Sequence, residues 1–120
     1  MEGYKKSNTI IMKNKLTFGE AVEAVKQGEL ISREGWNGKG MFVFQRPSDE
    51  LTVGFILDKV KSLPESLKES FKNKVETNDL TEDTKVKFTA YLCMYAADGS
   101  VVNGWLASQT DMLSNDWCIL

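Results

Sequence analysis

The sequence predicts an α+β fold: a small antiparallel sheet with helices packed on one side, plus an inserted helical hairpin. Three observations lead there. A capped amphipathic stripe follows Thr17. Apolar and polar residues alternate from Val86 to Tyr95. Glycine-rich turns, "EGWNGKG" and "DGS", separate short apolar runs, as tight antiparallel connections require.

The elements follow in order. Residues 1–15 are lysine-rich and aperiodic and are expected to form a flexible leader before a single domain over 16–120. Thr17 and Glu20 have capping-box spacing, so a helix starts there with Thr17 as N-cap. Phe18, Ala21, Val22 and Val25 form one apolar stripe. Gly28 suits the left-handed residue just past the helix end. Leu30–Arg33 and Met41–Phe44 read as strands of a hairpin whose tip carries Trp36.

From Pro47 to about Thr84 the pattern turns helical. Val53, Ile56, Leu57 and Val60 keep one stripe, and Leu67, Phe71 and Val75 keep another. Ser62 and Glu65, with Pro64 between them, suggest a second capping box. The lysines and glutamates of this insert read as a solvated face. The alternation over 86–94 predicts one strand, Asp98-Gly99 a two-residue turn, and Ser100–Val102 the return strand. Ser108 is expected to cap a short helix with Asp111 as reciprocal partner, Met112 and Leu113 anchoring it inward. Trp117–Leu120 forms a last strand.

Composition narrows the function. A net charge of −2 with both signs interspersed argues against affinity built on DNA or RNA phosphates. The chain has no histidine, so imidazole catalysis is excluded. Its two cysteines form no CxxC pair, which predicts a reduced intracellular protein without a zinc site. No apolar run approaches the ~20 residues of a membrane span, and no signal peptide is visible. Phosphate-loop, nucleophile-elbow and zinc-protease motifs are missing, so no catalytic residue, metal ligand or cofactor is assigned.

The densest stretch is "NGWLASQTDMLSNDW", Asn103 to Trp117. Trp117 begins an alternating apolar strand and reads as core. Trp36, at a glycine-rich tip, either packs back on the sheet or is covered by a partner chain or a flat ligand. Trp105, after Asn103-Gly104, is similar. Arg33 can pair with a phosphate or with Glu34's neighbours on the sheet. Asn37, Gln109, Thr110, Asp111 and Asp116 carry hydrogen-bonding groups suited to ribose hydroxyls and a base edge. The Ser108–Asp111 turn is either a plain helix cap or an anion site.

"LTFGEAVEAVKQGELISREGWNGKGMFVF" and "AYLCMYAADGSVVNGWLASQTDMLSNDW" together resemble the second Thoeris anti-defence family of phage signal sponges. The likeness covers residues 16–44 and 88–120, about half of the chain, and omits the insert. It implies a small α+β homo-oligomer, usually a tetramer, acting in the cytoplasm of an infected bacterial host. Such proteins sequester, without cleaving it, the cyclic ADP-ribose isomer (1''–3' type) made by a TIR-domain sensor. Some members resemble binders of cyclic di- or trinucleotides. Carried over by motif, Trp36 would be an adenine-stacking wall and Trp105 a second wall. Arg33 and the Ser108, Gln109, Thr110, Asp111 turn would hold ribose and pyrophosphate. Two other classes stand beside this one: an enzyme that degrades a nucleotide signal, and a plain oligomerising or protein-binding domain anchored by Trp36.

Overall fold

The computed structural model describes residues 13–120. In chain order these form α1 (Phe18–Lys26), β1 (Ile31–Arg33), a 3₁₀ turn (Glu34–Trp36), β2 (Phe42–Arg46), β3 (Asp49–Thr52), α2 (Val53–Lys59) and α3 (Glu65–Glu76). There follow β4 (Lys85–Phe88), β5 (Tyr91–Tyr95), β6 (Val101–Asn103), α4 (Gln109–Leu113) and β7 (Trp117–Ile119). They divide into two compact units, one comprising the residues through Arg46 with Tyr91–Leu120, the other Pro47–Ala90.

The first unit is a five-stranded antiparallel sheet in the order β6-β5-β2-β1-β7. The register aligns Ile119, Ile31, Val43, Met94 and Val102 across it, so these side chains share one face. Helix α1 covers that face, burying Ala21, Ala24 and Val25. Its start is the expected capping box: Glu20 N–H donates to Thr17 Oγ1 at 3.1 Å, and Thr17 N–H to Glu20 Oε1 at 2.8 Å. The core is Leu16, Ala21, Ala24, Val25, Ile31, Val43, Trp117 and Ile119. Phe42, Phe44, Cys93 and Tyr95 point the other way, with the Phe42 and Tyr95 rings stacked at 5.0 Å.

The expected leader lies outside the described residues over positions 1–12. Within residues 13–16, Leu16 forms an isolated bridge to Trp117. Leu16 and Trp117 exchange both backbone hydrogen bonds, and Ile119 N–H donates to Lys13 O at 2.7 Å. These contacts shield the outer edge of β7.

The second unit pairs β3 with β4 and packs α2 against α3. The single strand expected over 86–94 is therefore two strands, β4 and β5, separated by Thr89 and Ala90. Alternation runs unbroken through the sequence, but it does not encode which partner each half pairs with. Asp49–Thr52, read as part of the helical insert, supplies β4's partner. The second capping box is also corrected. Pro64 itself is the N-cap of α3, its carbonyl accepting from Leu67 N–H, with no side-chain cap. Ser62 lies too early to reach the free N–H groups.

The turn at Asp98-Gly99 is three residues long, not two, because Ala96 N–H pairs with Ser100 O at 2.8 Å. Asp98 closes it by accepting from the Ser100 N–H and hydroxyl, which lowers its pKa. No helix among the described residues is long and apolar enough to cross a membrane.

Candidate functional site

Three tryptophans meet at one end of the α1-covered face. Trp117 is fully buried. Trp36 meets it edge-on at 5.3 Å between ring centroids, and Trp105 does so at 6.4 Å. Trp36 and Trp105 are themselves T-shaped at 6.2 Å. Both are only partly buried and pack against the core. Trp36 is thus not stranded at an exposed tip: the 3₁₀ turn Glu34–Trp36 folds its ring back onto the sheet. Trp105 is placed by Gly104 and by its own N–H, which donates to Leu92 O at 2.8 Å.

The sites singled out from sequence converge partly on this cluster. Arg33 lies in register with Trp117 across β1 and β7. Its guanidinium donates to Asp111 Oδ1 at 2.7 Å and to Asp116 Oδ1 at 2.8 Å, with a longer bond of 3.3 Å to Asp116 Oδ2. Asp111 is the hub. Its carboxylate also accepts from Ser108 N–H at 3.2 Å, while its carbonyl accepts from Trp117 Nε1 at 2.9 Å. Ser108 caps α4 as expected, accepting from Asp111 N–H at 3.0 Å. Asn37, at φ 60°, follows Trp36 on the exposed side of the turn, and Gln109 and Thr110 are exposed on α4.

Met112 and Leu113 do not anchor α4 inward: they are 37% and 77% exposed. A five-residue helix has no full apolar stripe to bury, and the polar bonds of Asp111 hold it instead.

The electrostatics follow from these contacts. The Asp116 hydrogen bond does most to raise the Arg33 pKa, with Asp111 adding and burial opposing. Arg33 in turn is the chief cause lowering Asp116, with Gly35 N–H assisting. For Asp111, burial pushes the pKa up, but the hydrogen bonds from Arg33 and Ser108 outweigh it and the net shift is down. One cation between two carboxylates leaves the triad formally negative, so it repels rather than receives a further anion.

Sequence reasoning missed Gly35 and gave Asp116 no fixed role. Gly35 N–H donates to Asp116 Oδ2 at 2.8 Å. A Cβ added there would stand 2.7 Å from Arg33 Nη2 and 2.9 Å from Asp116 Oδ2. Gly35→Ala is therefore expected to pry the pair apart and destabilise the fold by about 1–3 kcal/mol, the usual cost of overpacking. Urea unfolding checks this, and an unchanged midpoint would show that the pair tolerates the methyl.

A cavity of about 470 Å³ opens beside Trp36, lined by Ser32, Arg33, Glu34, Trp36, Gly38, Lys39, Gly40, Met41, Cys118 and Leu120. Burial, with the Glu34 and Asp116 carboxylates, pushes the Cys118 thiol up, so it stays neutral near pH 7. No group of His, Cys, Asp or Glu suited to a metal ion occurs among the described residues.

Residues 16–120 match the family described as Thoeris anti-defense 2-like domain. The match therefore runs through the insert as well as the two motif segments. The chain is also 34% identical over 109 residues to a protein of Bacillus phage SP01 named Thoeris anti-defense 2, spanning 91% of this chain and 99% of that one. The chain belongs to the Thoeris anti-defense 2-like family.

Proposed function

We propose that this protein inhibits Thoeris defence by binding a cyclic ADP-ribose-type signal and holding it uncleaved. Family membership supports the anti-defence role. The carrying observation for the ligand is the pair of half-buried indoles, Trp36 and Trp105, held edge-on by Trp117. Rings fixed in this way present flat surface with little rotamer entropy left to lose, which favours stacking on a base. Asn37, Gln109 and Thr110 supply nearby donors and acceptors for ribose and the base edge. Arg33, Ser108 and Asp111 act by fixing the wall in place. The protein works in the cytoplasm of the infected bacterial host as a homo-oligomer, with a tetramer as the expected state. The sheet face bearing Phe42, Phe44 and the partly exposed Tyr95 and Val101 supplies apolar surface for assembly.

Incubation with excess 1''–3' cyclic ADP-ribose isomer is expected to deplete free ligand only to the number of sites, and heating should return it intact. Linear ADP-ribose accumulating beyond that number would establish an enzyme instead. Trp36→Ala and Trp105→Ala should each weaken binding by about 1–3 kcal/mol, roughly 5- to 150-fold, while the protein stays folded. Wild-type affinity in both variants would remove the aromatic walls from the site and favour the plain oligomerising domain.

A further inference from the structure

Arg33 was the natural candidate to receive the phosphates of a nucleotide, yet its fork is taken by Asp111 and Asp116. Another group must then meet the negative charge of such a ligand. The cavity beside Trp36 contains one. Lys39 lines it and makes no ion pair among the described residues.

The backbone around Lys39 is equally suited to an anion. Asn37, Gly38 and Gly40 all have positive φ, at 60°, 65° and 77°. Among the described residues, the N–H groups of Gly38, Lys39 and Gly40 donate to no protein acceptor. Consecutive free N–H groups in a tight turn make an anion-binding concavity. A Cβ at Gly38 or Gly40 would meet nothing within 4 Å, so the two glycines serve the backbone conformation and leave the loop open to a ligand. Trp36 and the loop both line the same cavity.

We propose that the Gly38-Lys39-Gly40 loop is the phosphate-binding half of this cavity, receiving the pyrophosphate of a nucleotide whose base lies on Trp36. This rests on the sponge reading above. Lys39 supplies the charge and the loop N–H groups the directional bonds. Arg33 holds the wall and Lys39 holds the anion.

The test is calorimetric titration of the wild type, Lys39→Gln and Lys39→Arg with the 1''–3' cyclic ADP-ribose isomer at low and high salt. Lys39→Gln is expected to weaken binding about tenfold at low salt and to flatten the salt dependence, as loss of a charge-assisted contact requires. Lys39→Arg should stay within about threefold of wild type, since it keeps the charge. Thermal unfolding of all three should coincide, because Lys39 is exposed. Wild-type affinity and salt dependence in Lys39→Gln would overturn the assignment while leaving the sponge reading intact. Failure of the wild type to bind at all would overturn both.

Discussion

Trp117→Ala is expected to cost about 3–5 kcal/mol of folding stability, the largest effect of any single substitution here. The side chain is fully buried. It touches Phe18 at 5.4 Å between centroids as well as Trp36 and Trp105, so its removal leaves a cavity that three elements line. The indole N–H bond to the Asp111 carbonyl disappears with it. For a chain of 120 residues this is a large share of the whole stability. Trp117→Phe should recover part of the loss by refilling some of the volume, but not the hydrogen bond. Guanidinium unfolding of both variants checks this. A Trp117→Ala protein within about 1 kcal/mol of wild type would mean that the tryptophan cluster is not the keystone of the sheet.

Arg33→Ala is expected to destabilise the fold by about 3 kcal/mol, because it leaves two carboxylates facing each other without their cation. The side chains of Arg33 and Asp111 are only 12% and 13% exposed, so water compensates little. Arg33→Lys should rescue poorly, since one ammonium cannot span both acids. The same network sets an acid limit. Asp111 and Asp116 both lie below their ordinary value of 3.8. Their contribution is complete above that value and is lost as the pH falls through the lowered folded values. Arg33→Ala should therefore flatten the acid side of a stability-against-pH profile. A wild-type profile in that variant would show that the two aspartates are stabilised from elsewhere.

What was legible in the sequence was local. The caps at Thr17–Glu20 and Ser108–Asp111 could be read because a cap is completed within four residues. Trp117 could be placed in the core because its strand alternates. The split between β4 and β5 could not, since alternation fixes which side chains share a face but not which strand lies alongside. The sequence singled out Trp36, Trp105, Arg33 and Asp111, and the fold gathers them around Trp117. It left open whether Arg33 meets a phosphate or a neighbour on the sheet. The decisive partner, Asp116, lies 83 residues away, beyond any periodicity a local pattern can carry.

That separation bears on how the molecule comes to be built. The strand that completes the sheet, β7, pairs with β1 and bridges Leu16, both far from it in sequence. Until it docks, Trp36, Arg33 and the loop before α4 have nothing to close upon. Contacts spanning so much of the chain carry a high entropic cost before they return any energy, so the β1–β7 ladder belongs to the late, slow part of folding. The second unit is inserted in sequence between β2 and β5 and has its own ladder and helix pair, which form over much shorter distances. Assembly of the tryptophan cluster therefore belongs to the late part of the folding route, since it is complete only once β7 is free to reach back.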